Sequence, residues 1–112
     1  MKKIKVLLVS DNLEVLESMT RALPIFIPDN QVGVITSNHI QGIAKFVEEQ
    51  PDKTIVFDYN ERGNGKGKLT FVDIKNSASK DQVVLRIGVD KYNYGDYIAI
   101  PFLLEEVARR LL

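Results

Sequence analysis

Hydrophobic positions along the chain switch between two periods, and the switches divide it into alternating strands and helices. Lys2-Lys3-Ile4-Lys5-Val6-Leu7-Leu8-Val9 alternates at first and then turns continuously apolar, the pattern of a central strand whose first residues are solvated. After Ser10-Asp11-Asn12, residues Leu13, Leu16, Met19 and Leu23, with Ala22 beside them, fall on one helical stripe, while Glu14, Glu17, Ser18 and Arg21 fall opposite. Pro24 is expected to stop that helix, because proline lacks the amide donor that helix propagation needs. The bracketed segment Pro24-Ile25-Phe26-Ile27-Pro28 then reads as a packed connection. Gln31-Val32-Gly33-Val34-Ile35-Thr36 predicts a short second strand. Asn38 and Gln41 form a capping-box pattern that opens a second helix, with Ile40, Ile43, Ala44 and Val47 as its apolar stripe and Pro51 beyond its end.

The stretch that organises the rest is Thr54-Ile55-Val56-Phe57-Asp58-Tyr59-Asn60, a run of β-branched and aromatic residues bounded by turn formers. It predicts a strand buried on both faces, with Asp58 at its carboxyl end. A glycine-rich loop, residues 61–68, follows. Residues 69–76 fit either a hairpin strand or a helix, and the helix is the preferred reading, with Thr70 and Asp73 as caps and Phe71, Val72 and Lys75 packing. Residues 82–88 and 97–100 predict a fourth and a fifth strand, the latter closed by Pro101. The eight residues 89–96 between them are too few for a full crossover helix of the usual dozen or so. Leu103, Leu104, Val107, Ala108 and Leu111 line one face of a terminal helix, with Glu105, Glu106, Arg109 and Arg110 outside. This alternation specifies an α/β fold with a doubly wound, mostly parallel sheet of five strands.

Composition narrows the functional classes. A chain of 112 residues with 45% apolar and 27% charged residues is expected to form one soluble domain spanning 1–112, with a core that needs no staples. Fifteen basic and fifteen acidic residues cancel, so neither nucleic acid nor an anionic membrane is expected as a partner. The absence of cysteine removes disulfides, thiol catalysis and thiolate metal sites together. The apolar run ending at Val9 is too short for a signal peptide or a membrane span, which makes the cytoplasm the expected location.

Few residues carry candidate chemistry. Asp58 falls where open α/β sheets collect their binding sites, outside the carboxyl ends of the strands, although Asp also turns or caps a chain after a strand. Asp11 reads equally well as a helix N-cap with Glu14 completing the box. His39 has no second His, Cys or acidic partner at ligand spacing and is expected at the surface. The glycine loop is not a P-loop, since Gly65-Lys66 is followed by Gly67 and lacks the glycine four residues ahead.

As an ordered set these segments resemble the receiver domains of bacterial two-component response regulators, which share a flavodoxin-like (βα)5 fold. Lys5-Val6-Leu7-Leu8-Val9-Ser10-Asp11-Asn12 is similar to the family's first strand, which usually ends in two adjacent acidic residues. Val56-Phe57-Asp58-Tyr59-Asn60 is similar to its third strand, residues 67–75 to the glycine and helix after its site loop, and Asp96-Tyr97-Ile98-Ala99-Ile100-Pro101-Phe102 to the fifth-strand pattern ending in Lys-Pro-Phe. The fourth helix would be shortened or missing. The resemblance implies that Asp58 occupies the phosphoacceptor position. Mg²⁺ would then sit on Asp11, Asp58 and the carbonyl of Asn60, oxygen ligands of the kind a hard cation requires.

The departures change that expectation. Ser10 replaces one acid, the hydroxyl residue ending the fourth strand falls at Ile87 or Gly88, and the lysine before the proline is Ile100. The site loop is about one residue longer than the family's and lacks its proline. With those partners gone, the resemblance implies a degenerate, or pseudo-, receiver: not an enzyme, without a cofactor beyond weakly held Mg²⁺, and acting as a phosphorylation-independent interaction module. A working receiver phosphorylated on Asp58 by a histidine kinase, with Mg²⁺, is the alternative. The expected partners are proteins: a histidine kinase, an output domain or a second copy of the chain. In the family the output face combines the fourth helix, fifth strand and fifth helix, which points here to Tyr92, Tyr94 and Tyr97 as contacts, since tyrosine supplies rigid apolar area with a polar tip.

Overall fold

The computed structural model describes residues 3–27, 32–58, 66–88, 97–99 and 109–110. Its elements run β1 (Ile4–Val9), α1 (Leu13–Phe26), β2 (Val32–Ser37), α2 (Gly42–Glu49), β3 (Lys53–Asp58), α3 (Lys66–Ser77), β4 (Val83–Gly88) and β5 (Tyr97–Ala99). All neighbouring strands pair in parallel, in the order β2-β1-β3-β4-β5. That order is the flavodoxin-like, doubly wound arrangement expected from the sequence.

The continuous apolar runs are explained by burial on both faces. Val6, Leu8, Ile55, Phe57, Leu85 and Ile87 face α1, where they meet Leu16, Met19, Leu23 and Ile27. Leu7, Val9, Val56 and Val84 face the other way, against Phe46 of α2 and Ile74 of α3. Each such side chain, fully buried, contributes about 1.5–3 kcal/mol, and the two clusters clamp the central strands β1 and β3 from both sides. The amino ends of the strands are tied by polar contacts. Lys5 donates its amide to Asp52 Oδ2 at 2.9 Å and its ammonium to the Glu49 carbonyl at 3.0 Å, and Val83 donates its amide to the Asp52 carbonyl at 3.0 Å.

Three local expectations are corrected. Pro24 does not stop α1, which runs on to Phe26. The Ile27 amide donates to the Leu23 carbonyl at 2.9 Å, and Leu23 and Ile27 are both fully buried. An interior proline costs about 3 kcal/mol, but burying two aliphatic side chains one turn apart returns as much or more, so the helix continues through it. In α2 the apolar stripe is rotated from the expected one. Phe46 and Gly42 are buried, Ile43 is half-buried, and Ile40, Ala44 and Val47 are exposed. The cause lies at Gly42, where an added Cβ would meet Val9 and Thr70 at 3.1 and 3.0 Å; the close approach of helix to strand fixes which face turns inward. Finally, α3 begins at Lys66, so Thr70 lies inside it rather than at its cap. Its packing residues are Thr70, half-buried Phe71 and fully buried Ile74, while Val72 and Lys75 are exposed.

Candidate functional site

The carboxyl ends of β1, β2, β3 and β4 converge on one rim of the sheet. β3 ends in Asp58, whose backbone pairs in register with Gly88 at the end of β4, while Phe57 pairs with Ile87. Ile87 is fully buried in the core facing α1. The strand neighbour of Asp58 is therefore a residue with no side chain. β1 pairs with β3 through Val9 and Val56, and Asp11 lies in the bend two residues beyond the end of β1.

The turn after β1 is held by its own polar groups. Ser10 is buried, and its amide donates to the Ser37 carbonyl at 2.9 Å. Its hydroxyl oxygen accepts the Asn12 amide at 3.0 Å. Asn12, not Asp11, is the N-cap of α1: its side-chain carbonyl accepts the amides of Glu14 at 3.0 Å and Val15 at 3.3 Å. Asn ranks with Asp at this position, and one residue of phase separates the two readings. Released from the cap, the exposed Asp11 reaches across to the turn after β2, where its Oδ1 accepts the His39 amide at 2.9 Å.

His39 is thus a junction rather than a free surface residue. It lies in the turn ahead of α2, and its carbonyl accepts the Thr70 hydroxyl of α3 at 3.5 Å. Its Nδ1 is buried without a hydrogen-bond partner among the described residues. In the same turn Asn38 Oδ1 accepts the Gln41 amide at 2.8 Å, but this bond closes the turn before the helix and is not the expected capping box: the N-cap of α2 is Gln41, three residues later, and its side chain caps nothing. The main-chain link from Asp11 to His39 could not be read from the sequence, since a backbone amide is present at every position and only the fold brings this one within reach.

Among the described residues no three His, Cys, Asp or Glu side chains come together as a metal cluster would require. Asn60, Tyr92, Tyr94, Ile100, residues 89–96 where the fourth helix would fall, and the apolar stripe of the terminal helix lie outside the described residues, as do the side chains of Asp58 and Tyr97. The backbone of Tyr97 pairs with Arg86 at the start of β5, and Arg109 and Arg110 are helical.

A solved structure of a pilus assembly protein, CpaE from Caulobacter crescentus CB15, is similar with a TM-score of 0.68, covering 99% of this chain and 92% of that one at 10% sequence identity. The likeness shows the fold. The chain is α/β and flavodoxin-like, with the receiver-like arrangement of its strands. No protein-family model matches the sequence, and no curated protein matches it. Among the described residues no helix is long and apolar enough to cross a membrane.

Proposed function

We propose that this chain is a degenerate receiver, a phosphorylation-independent interaction module in bacterial signal transduction that has no enzymatic activity of its own and binds a protein partner. The observation that carries the reading is the register of Asp58 with Gly88. In the receiver family a side-chain hydroxyl at the end of the fourth strand couples the phosphoryl group to that strand, and glycine offers no side chain for the purpose.

The other partners of the site support the same reading. A receiver-type Mg²⁺ centre needs two acidic side chains beside the acceptor. Here the first of those positions is the Ser10 hydroxyl, which accepts the Asn12 amide, and one oxygen of the second, Asp11, accepts the His39 amide. The Ser10 hydroxyl and one Asp11 oxygen are thus given to backbone donors that hold the turn, which leaves one Asp11 oxygen where such a centre uses two acidic side chains. Asp11 is used to join β1 to the loop after β2.

Incubation with acetyl phosphate and Mg²⁺ followed by intact-mass measurement tests the proposal. The expected spectrum keeps the unmodified mass. A stoichiometric acylphosphate adduct that disappears in Asp58→Asn would overturn the reading in favour of a working phosphoacceptor.

A further inference from the structure

We infer that β2 is a self-pairing edge, through which two copies of this chain join by antiparallel strand addition into one continuous sheet. The inference is independent of whether Asp58 takes a phosphoryl group.

β2 ends the sheet, with β1 on one side and no strand on the other among the described residues. Natural sheets guard such edges with lysines, prolines, bulges or very short strands. Val32-Gly33-Val34-Ile35-Thr36-Ser37 has none of these: six residues, all uncharged, four of them β-branched, pairing with β1 without interruption over their whole length. Strands of this composition form strand-to-strand contacts readily.

The direction of the free backbone groups follows from one hydrogen bond. The Ser10 amide donates to the Ser37 carbonyl at 2.9 Å, so Ser37 faces β1. Backbone groups alternate sides along a strand, so Gly33 and Ile35 also face β1, and Val32, Val34 and Thr36 direct both amide and carbonyl outward. A two-fold axis through Val34 pairs Val34 with its own copy and Val32 with Thr36 of the second copy. Each residue pair exchanges two hydrogen bonds, so the three outward residues of each strand are all satisfied.

The surroundings favour a second copy as the occupant. A groove of about 570 Å³ runs beside β2 on the α1 side, with Leu13, Leu16 and Val34 among its apolar lining and Glu17 and Arg21 on the helix. Leu13 is 72% exposed there, apolar surface that a neighbouring molecule would cover. Glu17 and Arg21 lie one helical turn apart and carry opposite charges. A two-fold rotation reverses their order, so each acid is presented to the partner's base, which makes this face complementary to itself. The formal net charge of zero adds no long-range repulsion between copies.

Amide hydrogen exchange on the full chain, followed together with sedimentation equilibrium over a range of concentrations, tests the inference. The chain is expected to dimerise, and the amides of Val32, Val34 and Thr36 are expected to become protected as it does, while Gly33 and Ile35 are protected throughout. Thr36→Pro removes one outward donor and leaves the β1 ladder intact, since Thr36 is exposed and its amide does not face β1; it is expected to be monomeric with unchanged circular dichroism. Glu17→Arg is expected to weaken the dimer about tenfold, and the exchange Glu17→Arg with Arg21→Glu to restore it. A chain that stays monomeric at millimolar concentration would overturn the inference. So would a dimer in which the outward amides of β2 exchange as fast as in the monomer, whether or not the variants fold.

Discussion

Asn12 and Asp11 are adjacent, both exposed and both short polar side chains, yet they do different work. Asn12 accepts two amides of the first turn of α1, and truncating it leaves those donors without their partner. Asn12→Ala is expected to lower stability by about 1 kcal/mol in urea denaturation, with Asn12→Asp close to the parent. Asp11 acts at longer range, through the His39 amide. If its role is to hold that amide, Asp11→Asn, which retains an acceptor, should leave stability nearly unchanged, and Asp11→Ala should cost about 1 kcal/mol. Neither loss should depend on Mg²⁺. A loss in Asp11→Asn that appears only with Mg²⁺ present would instead make the carboxylate a metal ligand. The polar cluster at 10–12 was legible as a helix start, but the sequence pointed to Asp11 as the cap and the cap is Asn12, because backbone angles at one residue decide it and both side chains suit it.

At the scale of elements, the strands were legible because β1, β3 and β4 are buried on both faces and their apolar runs have no competing period. The helices were legible as elements but less so in phase and extent. Proline at position 24 argued locally for a stop, and tertiary burial of Ile27 overruled it. Replacing Pro24 with Ala restores the missing amide donor opposite the Thr20 carbonyl and is expected to stabilise the protein by about 2 kcal/mol. Ile27→Ala should cost about 2–5 kcal/mol, while Ile25→Ala, at a side chain 79% exposed, should stay within about 0.5 kcal/mol. For α2, counting from Ile40 gave a stripe that misses Phe46, because Ile40 belongs to the turn before the helix and Gly42 sets the approach to Val9. Thermal or denaturant unfolding should therefore rank Phe46→Ala, at about 3–5 kcal/mol, far above Val47→Ala. The reverse ranking would contradict the observed face.

For the whole molecule, strand and helix alternation predicted a doubly wound parallel sheet of five strands, since connections between parallel strands are right-handed and short, while the order β2-β1-β3-β4-β5 is the flavodoxin-like one that the receiver resemblance implied. What alternation does not supply is register. Ile87 and Gly88 were equivalent candidates for the position beside Asp58, and only pairing with β3 separates a core side chain from a bare backbone at the rim. The proposed function rests on that register, because receivers switch by moving their fourth and fifth strands in response to charge at the end of the third. The most direct test is the amide NMR spectrum of the chain titrated with beryllofluoride in the presence of Mg²⁺. The account expects the resonances of Asp58, Ile87, Gly88 and the strand β5 to stay in place at saturating reagent. Stoichiometric shifts that spread from Asp58 through Gly88 into β5, and that vanish in Asp58→Asn, would contradict it.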